Sequence, residues 1–143
     1  MKVKFAVLMF VAAASVIVAP QIVSSQEPDL AGEWVTMNPQ TRGITRIVVS
    51  RGESGWVAQT FGRCHPSDCD WGPVPLYPLG ASVEDHSFES GFAVWDAGFA
   101  TKFVTMTKTE EGLTVETVTI FKDCSRRANF RMKELLRRRD HRL

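Results

Sequence analysis

The nine residues "CHPSDCDWG", 64–72, hold the densest set of chemically capable side chains in the chain: two cysteines, a histidine, two aspartates and a tryptophan. Three chemistries are open to such a set. Cys64, His65 and Cys69, with Asp70 as a fourth donor, supply the ligand types that zinc and other soft or borderline metals take. Cys64 and Cys69 could instead close on one another as a disulfide. His65, oriented by Asp68 or Asp70, has the parts of a general base, as does His86 beside Asp85.

Local backbone chemistry favours the disulfide. Pro66 drives His65 into extended backbone, where neighbouring side chains point to opposite faces, so Cys64 and His65 diverge. Pro66, Ser67 and Asp68 are turn formers, and a turn over residues 65–68 sets Cys64 opposite Cys69. Facing Cα atoms in an antiparallel pair lie about 4.5–5.5 Å apart, inside the disulfide range of about 4.4–6.8 Å. Closing so short a loop removes only about 2 kcal/mol of unfolded-chain entropy, so the expected gain is local rigidity. Cys64, His65 and Cys69 stand as the alternative metal set. Cys124 is then left over, expected as a buried small apolar residue, with an intermolecular disulfide and a dimer as the alternative.

A disulfide needs an oxidising compartment, and the N-terminus points to one. Lys2 and Lys4 precede an apolar run from Phe5 to Ala19 that gives way to "PQIVSSQ". That is the order of a secretory signal, expected over 1–25 with cleavage after Ser25, and its apolar part is short for a hydrocarbon core of about 30 Å. The expected location is secreted, periplasmic or cell envelope. Residues 26–136 are then one domain and 137–143 a basic tail. From Gln26 to Phe121 there are 6 Lys and Arg against 13 Asp and Glu, and from Lys122 onward 9 against 3. An acidic body argues against nucleic acid as a partner, while the basic end could touch an anionic surface.

Strands must position these residues, because helical periodicity is hard to find before the tail. Runs of β-branched and aromatic residues, "GEWVTM", "GITRIVVS", "WVAQTFG", "SFESGFAVWD", "FATKFVTMTK" and "LTVETVTIFK", alternate with the turn chemistries "RGESG", "AG" and "TEEG". In the last run the alternation slips: Leu113 and Val115 share one parity, Val118 and Ile120 the other. A bulge near Glu116 and Thr117, or burial on both faces, is the expectation. "LYPLGASVE" is demoted by Pro78 to an edge or loop. "ANFRMKELL" reads as a strand to about Leu135 followed by a helical or frayed tail. Seven or eight hairpin-linked strands suggest an all-β, single antiparallel up-and-down barrel, since closure removes exposed edges, with a β-sandwich as the alternative.

"NPQTRGITRIVVS", "FGRCHPSDCDWG" and "TIFKDCSRRANFRMKE" together resemble a family of bacterial secreted proteins with an Asn-x-x-Thr-Arg-Gly-Ile segment and a Cys-His-Pro-x-x-Cys-Asp-Trp-Gly loop. The resemblance spans nearly all the mature chain and implies a fold, with no activity attached. Cys124 stands where that family usually has Gly or Asn, and Arg127 follows Arg126 where a Gly-Arg pair is usual. Gly32-Glu33-Trp34 is similar to the first strand of lipocalin and avidin barrels. That likeness implies a tryptophan closing one end against a late basic residue, here Arg127 or Arg131.

Function is expected in ligand binding: a non-catalytic barrel taking a small amphipathic ligand or glycan among Trp71, Asp70, Trp95, Trp34 and Tyr77, with Trp56 as a further wall candidate. Trp71 beside Asp70 pairs a flat apolar face with an acceptor. No strained Gly-x-Ser-x-Gly elbow, His-Glu-x-x-His or phosphate-cradling glycine loop appears, and no cofactor is expected. The alternatives are a Cys/His metal-binding protein or metal-dependent enzyme, and a surface interaction protein using the rigid loop or the basic tail.

Overall fold

The structure, a computed structural model, describes residues 30–139. The expected signal, 1–25, and the end of the basic tail lie outside the described residues. Nine strands follow one another: β1 (Gly32–Thr36), β2 (Ile44–Gly52), β3 (Gly55–Gly62), β4 (Cys69–Pro75), β5 (Tyr77–Leu79), β6 (Ser90–Asp96), β7 (Ala100–Thr109), β8 (Gly112–Phe121) and β9 (Phe130–Arg138). All pairings are antiparallel, in the order β4-β3-β2-β1-β9-β8-β7-β6-β5. The result is one nearly closed, barrel-shaped sheet, and the β-sandwich alternative is not what forms.

The strand count is nine rather than seven or eight, for a local reason. β4 and β5 are the two ends of the sheet and yet consecutive in the chain, joined through buried Leu76. The Leu76 amide donates to the Trp56 carbonyl at 2.8 Å. Before that corner the chain pairs with β3 and after it with β6, so one bent pass belongs to both edges. β4 is not legible as a strand in the sequence, since it carries Pro73 and Pro75, which lack a ladder donor. They are accommodated because β4 is an edge strand.

Two further expectations are corrected. β9 stays a strand to Arg138, with Trp34 opposite Arg138 across β1 and β9. β8 carries no bulge: its register against β7 is unbroken from Gly112 to Phe121. Its inward residues are Leu113, Val115, Thr117 and Thr119, all buried, with Val118 and Ile120 on the outer side. The alternation never slips; the inward set changes from aliphatic to hydroxyl.

That change divides the barrel interior. Leu30, Trp34, Ile47, Val49, Ala93, Met106, Leu113, Val115 and Leu136 form a filled apolar core. Trp34 donates its indole N–H to the Leu30 carbonyl at 2.9 Å, and the Arg138 guanidinium lies 4.6 Å from its ring centroid. The closing tryptophan is present as the Gly-x-Trp likeness implies, but its basic partner is Arg138, not Arg127 or Arg131. At the other end lie the connections 37–43, 63–68, 97–99 and 122–129, and there the interior is open.

Candidate functional site

A cavity of about 690 Å³ occupies that open end, within the range of about 300–1,000 Å³ usual for small-ligand pockets. The pairing register places its residues in rows. Trp95 faces Lys102, Lys102 faces Thr119, and Thr119 faces Phe130 across β6, β7, β8 and β9. One row nearer the core, Ala93, Val104, Thr117 and Met132 repeat the sequence of strands.

The seam supplies the opposite wall. Trp71 on β4 meets Trp95 on β6 edge to face, with centroids 5.9 Å apart, and the Trp95 indole donates to the Gly72 carbonyl at 2.8 Å. Gly62 permits this arrangement, since a Cβ there would stand 2.7–3.0 Å from the Trp71 ring. Lys102 reaches across β6 to place its ammonium 3.4 Å from the Trp71 centroid. Partial burial holds its pKa below the usual lysine value of 10.5.

The carboxylates bordering the cavity are all engaged. Asp70 accepts from Gln59 Nε2 at 2.7 Å and from the Gly72 amide at 2.8 Å. Asp96 accepts from Lys122 at 2.7 Å and from the Gly98 amide at 2.8 Å, and these bonds, the lysine's foremost, hold its pKa below 3.8. Glu134 accepts from the Thr41 hydroxyl and from the Ile44 amide at 2.8 Å, which anchors the β1–β2 connection to β9. Gly43 leaves room for it, because a Cβ there would lie 2.5 Å from the carboxylate. Arg127 is held by Asp123 and by Ser125 at 2.8 Å, with its guanidinium 4.0 Å from the Phe121 centroid. Bonds from Ser125 and then Arg127 keep the Asp123 pKa low.

The opening loop is a staple. Cys64 and Cys69 are disulfide-bonded with Cα atoms 5.5 Å apart. Both sulfurs that the alternative metal set required are consumed in the bridge, and among the described residues no three His, Cys, Asp or Glu gather around a point. His65 is exposed, while Asp68 pairs with Arg63. Asp85 accepts from the Ala81 and Ser87 amides, which lower its pKa to about 2, and it lies in the 80–89 connection at the core end.

Of the residues expected to bind, Trp71, Asp70 and Trp95 line the cavity. Trp34 is buried at the far end of the barrel, and Tyr77 stands on the outer face opposite Phe92 and largely exposed. Trp56 packs partly buried against the core. Lys102, Thr117, Thr119, Phe121 and Phe130 were missed. The available signal was parity: Lys102 shares the side of Ala100, Val104 and Met106, an inward position for a charge. Cys124 is exposed rather than buried, and its φ of 55° is a conformation that Gly and Asn adopt readily.

No family model, curated protein or solved structure matches the chain.

Proposed function

We propose that the protein is a small-ligand-binding barrel and that the ligand is amphipathic, lodged in the cavity at the loop end. The observation that carries this reading is an open cavity lined by aromatic and polar side chains at the loop end of the barrel, beside the apolar core. Phe99 and Phe130 are 46% and 44% exposed there. Aromatic surface at a pocket mouth gives a ligand large apolar contact area at low entropic cost. A glycan is the weaker occupant, because the Trp71 ring on which a sugar would stack already faces the Lys102 ammonium. The likeness in the Cys-His-Pro loop brings no activity with it, and the disulfide serves here to hold one side of the mouth. Export to the cell envelope or beyond, proposed from the N-terminal run, suits that bond.

The test is fluorescence titration with N-phenyl-1-naphthylamine, a neutral aromatic probe that brightens in apolar surroundings. Saturable one-to-one binding is expected, weakened about tenfold by Phe121→Ala. Phe103→Ser, on the outer face where Tyr77 and Leu79 are also exposed, is expected to leave it unchanged. Absence of saturation, or loss in Phe103→Ser alone, would move function away from the cavity.

A further inference from the structure

The cavity sets two polar groups, Lys102 and Thr117, among apolar interior side chains and beneath an aromatic cluster. Its mouth holds Phe99 stacked on Phe121 and Phe130 tilted against Phe121, with centroid separations of 6.4 and 6.1 Å, and the Arg127 guanidinium against the first two. Two buried hydroxyls have no partner among the described residues, those of Thr60 in the core and Thr117, and the second lies below this mouth. Thr117 is 6% exposed, lines the cavity, and its hydroxyl has no hydrogen-bond partner. A buried hydroxyl in that state sacrifices about 1–3 kcal/mol unless something supplies the missing bond. Lys102 stands one row above it, and its ammonium meets the Trp71 ring and, among the described residues, no carboxylate. A ring face satisfies one side of an ammonium that carries three donors.

The surrounding charges do not answer Lys102. Asp70, Asp96 and Glu134 each accept from donors of their own, as described above, and Arg63 and Arg127 are tied to Asp68 and Asp123. Arg42 at the rim adds a further positive charge to the lining. Of the groups that line the interior, the Lys102 ammonium and the Thr117 hydroxyl are the ones with donors still to be matched among the described residues.

Building on the binding reading above, we infer that the ligand is an anionic amphiphile that enters head first, its charged group received by Lys102 and the Thr117 hydroxyl and its apolar body by Phe99, Phe121 and Phe130. The two halves of the site then explain one another. Burial disfavours the charged form of Lys102, and an anion beside it restores that form in a medium where an ion pair is much stronger than in water. The head must carry oxygen acceptors, as a carboxylate or sulfonate does, because both the ammonium and the hydroxyl donate. A neutral or cationic amphiphile would leave the lysine unanswered and, if cationic, repelled.

The experiment compares two probes with the same ring system, 8-anilinonaphthalene-1-sulfonate and N-phenyl-1-naphthylamine, on the full folded protein. The sulfonate is expected to bind at least tenfold more tightly. Lys102→Met should remove most of that advantage, Lys102→Arg should retain it, and Thr117→Val should weaken the sulfonate several-fold. Far-ultraviolet circular dichroism checks that each variant is folded. Equal affinity for both probes, or a sulfonate affinity indifferent to Lys102→Met, overturns the anionic head and leaves the binding reading standing. If neither probe binds the wild-type cavity, the binding reading fails and this inference fails with it.

Discussion

Lys102 is a charge held where an apolar residue would be more comfortable. Its pKa is lowered by burial alone, so between that lowered value and 10.5 the unfolded chain binds a proton that the folded chain has released. Stability therefore rises with pH across that window, and at neutral pH the lysine is a burden on the fold. Lys102→Met is expected to be more stable than the wild type in urea denaturation at pH 7, by a margin that shrinks at pH 10. A variant less stable at pH 7 would mean that the contact with Trp71 outweighs desolvation. Cys124 carries a smaller strain. At φ 55° a cysteine is disfavoured where asparagine is tolerated, so Cys124→Asn should raise stability by about 0.5–1 kcal/mol in the same assay.

Among the elements, β9 does two jobs. Its core end supplies Leu136 to the filled interior, and its mouth end supplies Glu134 to hold the β1–β2 connection. Glu134→Ala leaves the Thr41 hydroxyl and the Ile44 amide without their acceptor, and stranding part-buried donors in this way costs about 1–3 kcal/mol. A loss of about 2–3 kcal/mol in denaturant unfolding is expected, together with faster hydrogen exchange over 37–44. β8 teaches a different lesson. Judged by hydrophobicity its alternation slips after Val115, whereas by position the inward set simply passes from Leu113 and Val115 to Thr117 and Thr119. Thr117 and Thr119 break the apolar pattern at the level where the interior stops being core and becomes cavity.

For the molecule as a whole, closure rests on the bent pass through Leu76 and on the Trp71–Trp95 seam. Trp95→Phe keeps the ring but leaves the Gly72 carbonyl without its indole donor. A loss of about 1–2 kcal/mol is expected, with β4 amides exchanging before those of β7, β8 and β9. The mouth has its own acid limit. Asp96 ties β6 to the segment after β8 through Lys122, and Asp123 shapes that segment through Ser125 and Arg127. Both carboxyls have folded pKa values below 3.8, so their ties hold above that value and are lost as pH falls through the lowered ones. Exchange over 122–129 should be steady from pH 7 to pH 5, after allowing for intrinsic rates, and gain in excess below about pH 4.

Composition, turn chemistry and strand alternation pointed to an antiparallel barrel with a sandwich left open, and the short spacing of Cys64 and Cys69 around Pro66 favoured the disulfide that forms. These are short-range properties, set by residues within a few positions of one another. The site was only half legible for the complementary reason. Trp71, Asp70 and Trp95 could be picked out by residue type, whereas Trp34 and Tyr77 look no different by type and lie at the core end and on the outer face. Lys102 meets Trp71 only because β4 and β6 come together at the seam, and that meeting depends on a chain pass that changes partner at Leu76. Which inward residues face packed core and which face open cavity depends on the depth each strand reaches, a property of closure that no local stretch of sequence encodes.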